Sequence, residues 1–218
     1  MMTFFITVKG ESKRCPNKNK VLLPYVLNQI SSSFSNIIVI TDSLELKEIA
    51  DNFGVVVYLE NKEIQKGEFF SIYDFLMKTN TLLDIPEFIL LPATQPFRSI
   101  ELIQDIIDCD LEDYDFATSY SKISNRKIFL LNDDFSYKYE SHERKGSLCS
   151  EEKMIDGYIY KIKTSFLKNV VNSDNSNNYF WNHSRIKFIE NKSRFFLDID
   201  EPEDLDLFIK LQKIGLRI

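Results

Sequence analysis

The chain has 218 residues, 44% of them hydrophobic and 28% charged, which is enough for one sizeable domain with a buried core. Its formal net charge of −6 argues against a general binder of nucleic acid or of anionic membranes. Three cysteines, Cys15, Cys109 and Cys149, have no metal-like spacing, and their odd number fits reduced thiols in the cytoplasm.

The N-terminal MMTFFITVKG carries no basic segment ahead of its apolar run, so no secretory signal is expected. No stretch approaches the roughly 18 apolar residues of a membrane span. "TFFITV" reads as a buried strand and leads into "ITVKGESKRCPNKNK", where Lys9, Lys13, Arg14, Lys18 and Lys20 surround a single acid, Glu11. A helical stretch follows around residues 22–32. "NIIVITD" is a second strand. "SLELKEIADNFG" is a helix capped by Ser43 or Asp42 and ended by Gly54. "VVVYL" is a third strand, residues 69–79 a helix, and "EFILLPA" a fourth strand. "SIELIQDIID" is a helix capped by Ser99, and "YDFATSY" a fifth strand. Short apolar runs alternating with helices specify an α/β protein with a mostly parallel sheet.

Residues 121–185 have a different texture and read as an insertion that protrudes from the sheet of a single domain spanning 1–218. "GYIYKI" is a strand within it and "TSFLKNV" a short helix. "NSDNSNNYFWNHS" is loop-like, with an exposed aromatic trio. The chain then runs through "KFIENKSRFFLDIDEPEDLDLFIKLQK", a strand or strand pair followed by a helix.

Two places carry chemistry. Gly10 lets the loop turn tightly and approach a ligand, and Ser12 adds a hydroxyl beside the ammonium groups. Such a loop suits a polyanion such as a triphosphate, although neither a Walker loop nor a Rossmann glycine fingerprint is present. A solvated run of charge is the other reading. In "LDIDEPEDL", Asp198 and Asp200 sit two apart on an apparent strand, both on one face with Ile199 turned inward. Two hard oxygen donors side by side suit Mg²⁺. The other reading makes Asp200 or Glu201 a helix cap ahead of Pro202. An anion cradle with a metal pair points to phosphoryl or nucleotidyl transfer, where positioning and charge neutralisation do most of the work. His142 and His183 belong to no ligand-like cluster, and no G-x-S-x-G elbow appears.

"KGESKRCPNKN" resembles the signature A-R-x-G-S-K-R-x-P-x-K-N of the acylneuraminate cytidylyltransferases. "LLPATQPFRS" resembles that family's L-Q-P-T-S-P-L-R-T, "IDGYIYKI" its N-G-x-I-Y-I, and "FLDIDEPEDLDL" its D-I-D-x-x-x-D-L. The resemblance implies a Rossmann-like three-layer sandwich of the nucleotide-diphospho-sugar transferase type, with an insertion used for dimerisation. It implies transfer of CMP from CTP to a sialic acid-like or other 2-keto-3-deoxy acid sugar, with Mg²⁺ and release of pyrophosphate. A phosphorylated or phosphonate acceptor, or a non-catalytic nucleotide-binding relative, are the alternatives. No nucleic acid and no membrane is expected as a partner, and surface-polysaccharide synthesis in the cytoplasm by a homodimer is the implied setting.

By the same resemblance, Lys9 and Lys18 are the catalytic residues, with Lys9 standing where the family has an arginine. Gly10, Ser12, Lys13, Asn19 and Ser71 hold the nucleotide. Gln95, Asp156, Phe180 and Trp181 meet the acceptor, the aromatic pair closing the pocket from the neighbouring subunit; plain packing is their other reading. Asp198 and Asp200 hold the metal. The departures are specific: Glu11 puts negative charge into the cradle, Pro92 and Ala93 replace Gln-Pro, and Glu60 and Gly67 replace Arg and Asp. Asp156 replaces an asparagine. Met154 falls where an arginine meets the acid sugar, leaving Arg144, Lys145 or Lys153 as substitutes.

Overall fold

The computed structural model describes residues 2–61, 67–124, 151–193 and 196–214. In chain order the strands are β1 (Thr3–Val8), β2 (Ile37–Thr41), β3 (Val56–Leu59), β4 (Glu87–Leu90), β5 (Phe116–Ser124), β6 (Glu151–Lys163) and β7 (Ile186–Glu190). The helices are α1 (Lys18–Ile30), α2 (Leu44–Asp51), α3 (Glu68–Lys78), α4 (Ile100–Asp108), α5 (Thr164–Asn172), α6 (Ser176–Asn182) and α7 (Pro202–Lys213).

The strands form one sheet in the order β3-β2-β1-β4-β6-β5-β7. β1, β2, β3 and β4 pair in parallel, as do β5 and β7, and β6 runs antiparallel between β4 and β5. The near-continuous apolar runs follow from burial on both faces. Alternate residues of β1, β2 and β4 serve two separate cores. Phe4, Ile6, Ile37, Val39 and Ile89 pack under α1, α2, α4 and α7. Phe5, Ile38, Ile40, Phe88 and Leu90 pack under α3, α5 and α6. The fold is therefore the expected Rossmann-like three-layer α/β sandwich.

Local signals behave as expected at several ends. The Ser43 hydroxyl accepts from Leu46 N at α2, and the Ser99 hydroxyl from Leu102 N at α4. Gly54, at φ 68°, follows the end of α2. From β1 the chain moves to β2 on one side, while β4 flanks β1 on the other. That reversal opens a crevice beyond the carboxyl ends of β1 and β4, where ligands bind in open α/β sheets.

The structure corrects three expectations. First, residues 151–185 belong to the body: β6 is an inner strand, and α5 and α6 cover one face. Only the β5–β6 ribbon beyond Tyr120 and Ile155 runs past its neighbours among the described residues. Residues 125–150, including His142, Arg144, Lys145 and Cys149, lie outside the described residues. Second, the supposed loop around Tyr179–Trp181 is helix α6, started by the Asn175 side chain accepting from Asn178 N at 3.0 Å. Third, Asp198 and Asp200 lie on no regular strand. Leu197 and Ile199 are nevertheless buried and the two aspartates half-buried, so the alternation survives without a ladder. No helix among the described residues is long and apolar enough to cross a membrane.

Candidate active site

The loop after β1 is shaped by one left-handed turn and two hydrogen bonds. Asn17 turns the chain through the left-handed region at φ 63° and starts α1. The Asn19 side chain donates to Lys9 O at 2.7 Å. Gly10 N donates to Asp42 Oδ1 at 2.6 Å, so the loop is stitched to the end of β2. A Cβ at position 10 would lie 2.7 Å from Ser43 Cβ, so only glycine fits this approach. Gly10→Ala is expected to displace Ser43 and to destabilise the fold by about 1–3 kcal/mol. Thermal melting and the KM for CTP check this.

Lys9 and Lys13 are exposed beside the resulting cavity of about 940 Å³, which Ser12, Asn19, Ser71 and Asp200 also line. Ser71 is buried on α3 and donates to Gly67 O at 3.2 Å. Gly10 does not line this cavity, because its N–H is already taken by Asp42. What the geometry shows at Gly10 is the close approach of the loop to Asp42 and Ser43.

Lys18 is buried in the wall of the same cavity. Its ammonium donates to Ile199 O at 2.6 Å and to Asp200 Oδ1 at 3.2 Å. Arg14 adds a second ion pair to the same oxygen at 3.0 Å. Lys18 is thus a positioning residue for Asp200, with a third N–H left over. The helix-cap reading of this segment holds at Glu201, the N-cap of α7, which forms a capping box with Asp204 and is followed by Pro202 at the first helical position. Asp204 Oδ2 accepts from Asp200 N at 3.1 Å and from Glu201 N at 2.9 Å, so the Asp200 carboxylate is not used as the cap.

Two backbone ties fix Asp198. Leu197 N donates to the Tyr158 hydroxyl at 3.1 Å, and Ile199 N to Thr94 O at 2.9 Å. Asp198 Oδ1 is buried with no hydrogen-bond partner among the described residues. Desolvation, and then the Asp200 charge, push the Asp198 carboxyl above the usual carboxylate range, while a Thr94 hydrogen bond and Lys18 pull it down. A repelled carboxylate with one buried, unpartnered oxygen, next to a second carboxylate, fits a Mg²⁺ ion that takes its remaining ligands from phosphates and water. No cluster of three metal-ligating side chains exists among the described residues, so a site relying on protein ligands alone is not present there.

A second cavity, about 460 Å³, adjoins the first. Gln95, Asp156, Tyr160, Trp181 and Asp198 line it. Asp156 is buried and saturated: Ser119, Ser121 (2.8 Å), Asn191 (3.1 Å) and Tyr158 N (3.2 Å) all donate to it. Gln95 is buried, with Oε1 unpartnered among the described residues. Beneath lies Arg98, fully buried, donating to Pro92 O; burial lowers its guanidinium to about 9. No lysine, arginine or histidine lines this cavity among the described residues. Lys153 stands over the Tyr120 ring instead, at 5.4 Å.

Phe180 does not reach either cavity. It is 1% exposed and stacks on Phe116 at 4.2 Å and Phe69 at 4.5 Å, so it is core. Trp181, next to it, does form cavity wall, from its own chain. The sequence alone gave no role in the site to Glu68, Asp42, Thr94 or Arg98, although Thr94 and Arg98 fall within "LLPATQPFRS".

The site's features agree with what the chain is similar to. A family profile described as "Cytidylyltransferase" matches residues 4–213. An N-acylneuraminate cytidylyltransferase of Escherichia coli O18:K1:H7 (strain RS218 / NMEC) is 26% identical over 227 aligned residues, covering 95% of this chain. The chain spans about half of that relative's length, 51%. Among solved structures, a CMP:2-keto-3-deoxy-manno-octonic acid synthetase complexed with CTP superposes with a TM-score of 0.70 at 14% identity, over 99% of both chains. A cytidylyltransferase from Leptospira borgpetersenii serovar Hardjo-bovis (strain JB197) gives 0.67 at 16% identity, over 99% of this chain and 87% of that one. With the profile spanning nearly the whole chain, this protein belongs to the cytidylyltransferase family.

Proposed function

We propose that the protein transfers CMP from CTP to an acidic sugar of the 2-keto-3-deoxy acid class and releases pyrophosphate. The observation that carries this reading is the junction of the two cavities, with Asp200 on the first and Asp198 on the second. A triphosphate in the first would place its α-phosphorus toward a hydroxyl held in the second. Lys9 and Lys13 neutralise phosphate charge, and Ser12 and Asn19 shape the cradle. Lys18 holds Asp200 in place. Asp198 and Asp200 would hold Mg²⁺, which supplies charge neutralisation on the triphosphate when bound. Gln95 and Trp181 orient the acceptor, beside the wall formed by Asp156, whose carboxylate is already taken by its four donors. A phosphate or phosphonate acceptor, with its second negative charge, fits the acidic wall less well than a sugar does. A cytoplasmic homodimer joined through the β5–β6 ribbon, working in surface-polysaccharide synthesis, belongs to the same reading.

The test is pyrophosphate release from CTP with Mg²⁺ and a panel containing N-acetylneuraminate and 2-keto-3-deoxy-manno-octonate. At least one acceptor is expected to turn over. Lys9→Ala is expected to lower kcat by about 10²–10³-fold. Silence of the wild type across the panel would sink the reading.

A further inference from the structure

Among the described residues, three line both cavities: Glu68, Pro92 and Thr94. Of these only Glu68 carries a group able to take up a proton. We propose that Glu68 is the general base that removes the proton from the attacking acceptor hydroxyl. This rests on the nucleotidyl-transfer reading above.

Glu68 is singled out first by position and then by elimination. It is the first residue of α3, so its backbone is fixed by the helix packed through Ile72, Phe75 and Leu76. Its side chain is in no hydrogen bond or ion pair among the described residues. Glu11, Glu60 and Asp200 line the first cavity alone and do not reach the second, and the acids nearest the junction are committed. Asp156 receives four donors. Asp198 belongs to the metal pair. Asp42 takes Gly10 N. The Tyr160 phenol is pushed up by burial and stays protonated. No histidine lines either cavity among the described residues.

The surroundings suit the task. Glu68 is exposed at the meeting of the two cavities, so its carboxylate is open to a bound hydroxyl and to solvent. The cavity walls raise its carboxyl above the usual carboxylate range, and the Lys9 ammonium opposes this. Lys9 from the β1 loop and Tyr160 from β6 are the charged and titratable groups coupled to it; Asp198 and Asp42 stand further along the cavities. In the step itself the hydroxyl oxygen forms a bond to the α-phosphorus. The bond from that phosphorus to the bridging oxygen breaks, and pyrophosphate leaves with the electron pair. The hydroxyl proton passes to the Glu68 carboxylate and from there to solvent.

Glu68→Gln keeps the shape and removes the base. With CTP, Mg²⁺ and whichever of N-acetylneuraminate or 2-keto-3-deoxy-manno-octonate turns over, kcat is expected to fall about 10²–10⁴-fold. The KM for CTP and the CTP-induced thermal shift are expected to stay unchanged, and the acidic limb of the kcat profile to vanish. Glu68→Asp is expected to restore part of the rate and the limb. A Glu68→Gln enzyme with wild-type kcat and limb overturns the proposal, as does a loss of rate matched by a loss of CTP binding. A wild type that binds CTP but turns over neither acceptor overturns it together with the transfer reading. With an active wild type, the same variants test the role of Glu68 alone.

Discussion

Asp198→Asn is expected to lower Mg²⁺-dependent pyrophosphate release by about 10²–10³-fold while raising the melting temperature of the metal-free protein. The two effects have one cause. In the fold, desolvation and Asp200 disfavour the Asp198 charge, so its carboxyl titrates above the unfolded value. A carboxyl raised in this way costs stability at neutral pH. The cost shrinks as pH falls through the folded value and is gone below the unfolded one. Asparagine keeps the shape and drops the charge, so the metal-free fold gains and the ion loses a ligand. Melting curves with and without Mg²⁺ and CTP, over pH 4–8, read both arms. An unchanged Mg²⁺ requirement would remove Asp198 from the metal pair. A lower metal-free melting temperature would contradict the electrostatic account.

Phe180→Ala and Trp181→Ala are expected to part company, although the residues are adjacent. Phe180 is sealed between Phe116 and Phe69, so truncation leaves a cavity and costs about 3–5 kcal/mol. That corresponds to a fall in melting temperature of roughly 10 °C for a chain of this length. Trp181 is only half-buried and walls the second cavity. Its loss is expected to raise the KM for the acceptor severalfold with a smaller change in melting. If Phe180→Ala melted like the wild type and lost only acceptor affinity, Phe180 would belong to the acceptor pocket and not to the core.

Those neighbours also show where sequence reading stops. Period and caps gave the βα alternation, because apolar spacing reports burial directly. The Ser43 and Ser99 caps were visible for the same local reason. Helix α6 was not visible: its asparagines and serines favour turns and helix starts alike, and only tertiary packing of Phe180 decides. The placement of β6 between β4 and β5 was also hidden, since strand propensity carries no information about neighbours. In the site, the basic loop and the aspartate pair were legible as chemistry. The Gly10–Asp42 bond, 32 residues apart, was not, and it gives the glycine a second reason to be there, the close approach of the loop to the end of β2. Glu68 left no trace because it sits in no motif; only the meeting of two cavities singles it out.

Lys18 reaches across 181 residues of chain to Ile199 O. Contacts of such long sequence separation bear the largest loop-closure cost and form late in folding. During synthesis the loop and its ammonium groups emerge long before the aspartates that complete the site. An early chain therefore displays positive charge without a place to put a metal–nucleotide complex. Under the proposed function, binding of that complex would act as a fastener, drawing the two distant segments together by mass action and favouring only molecules that have finished folding.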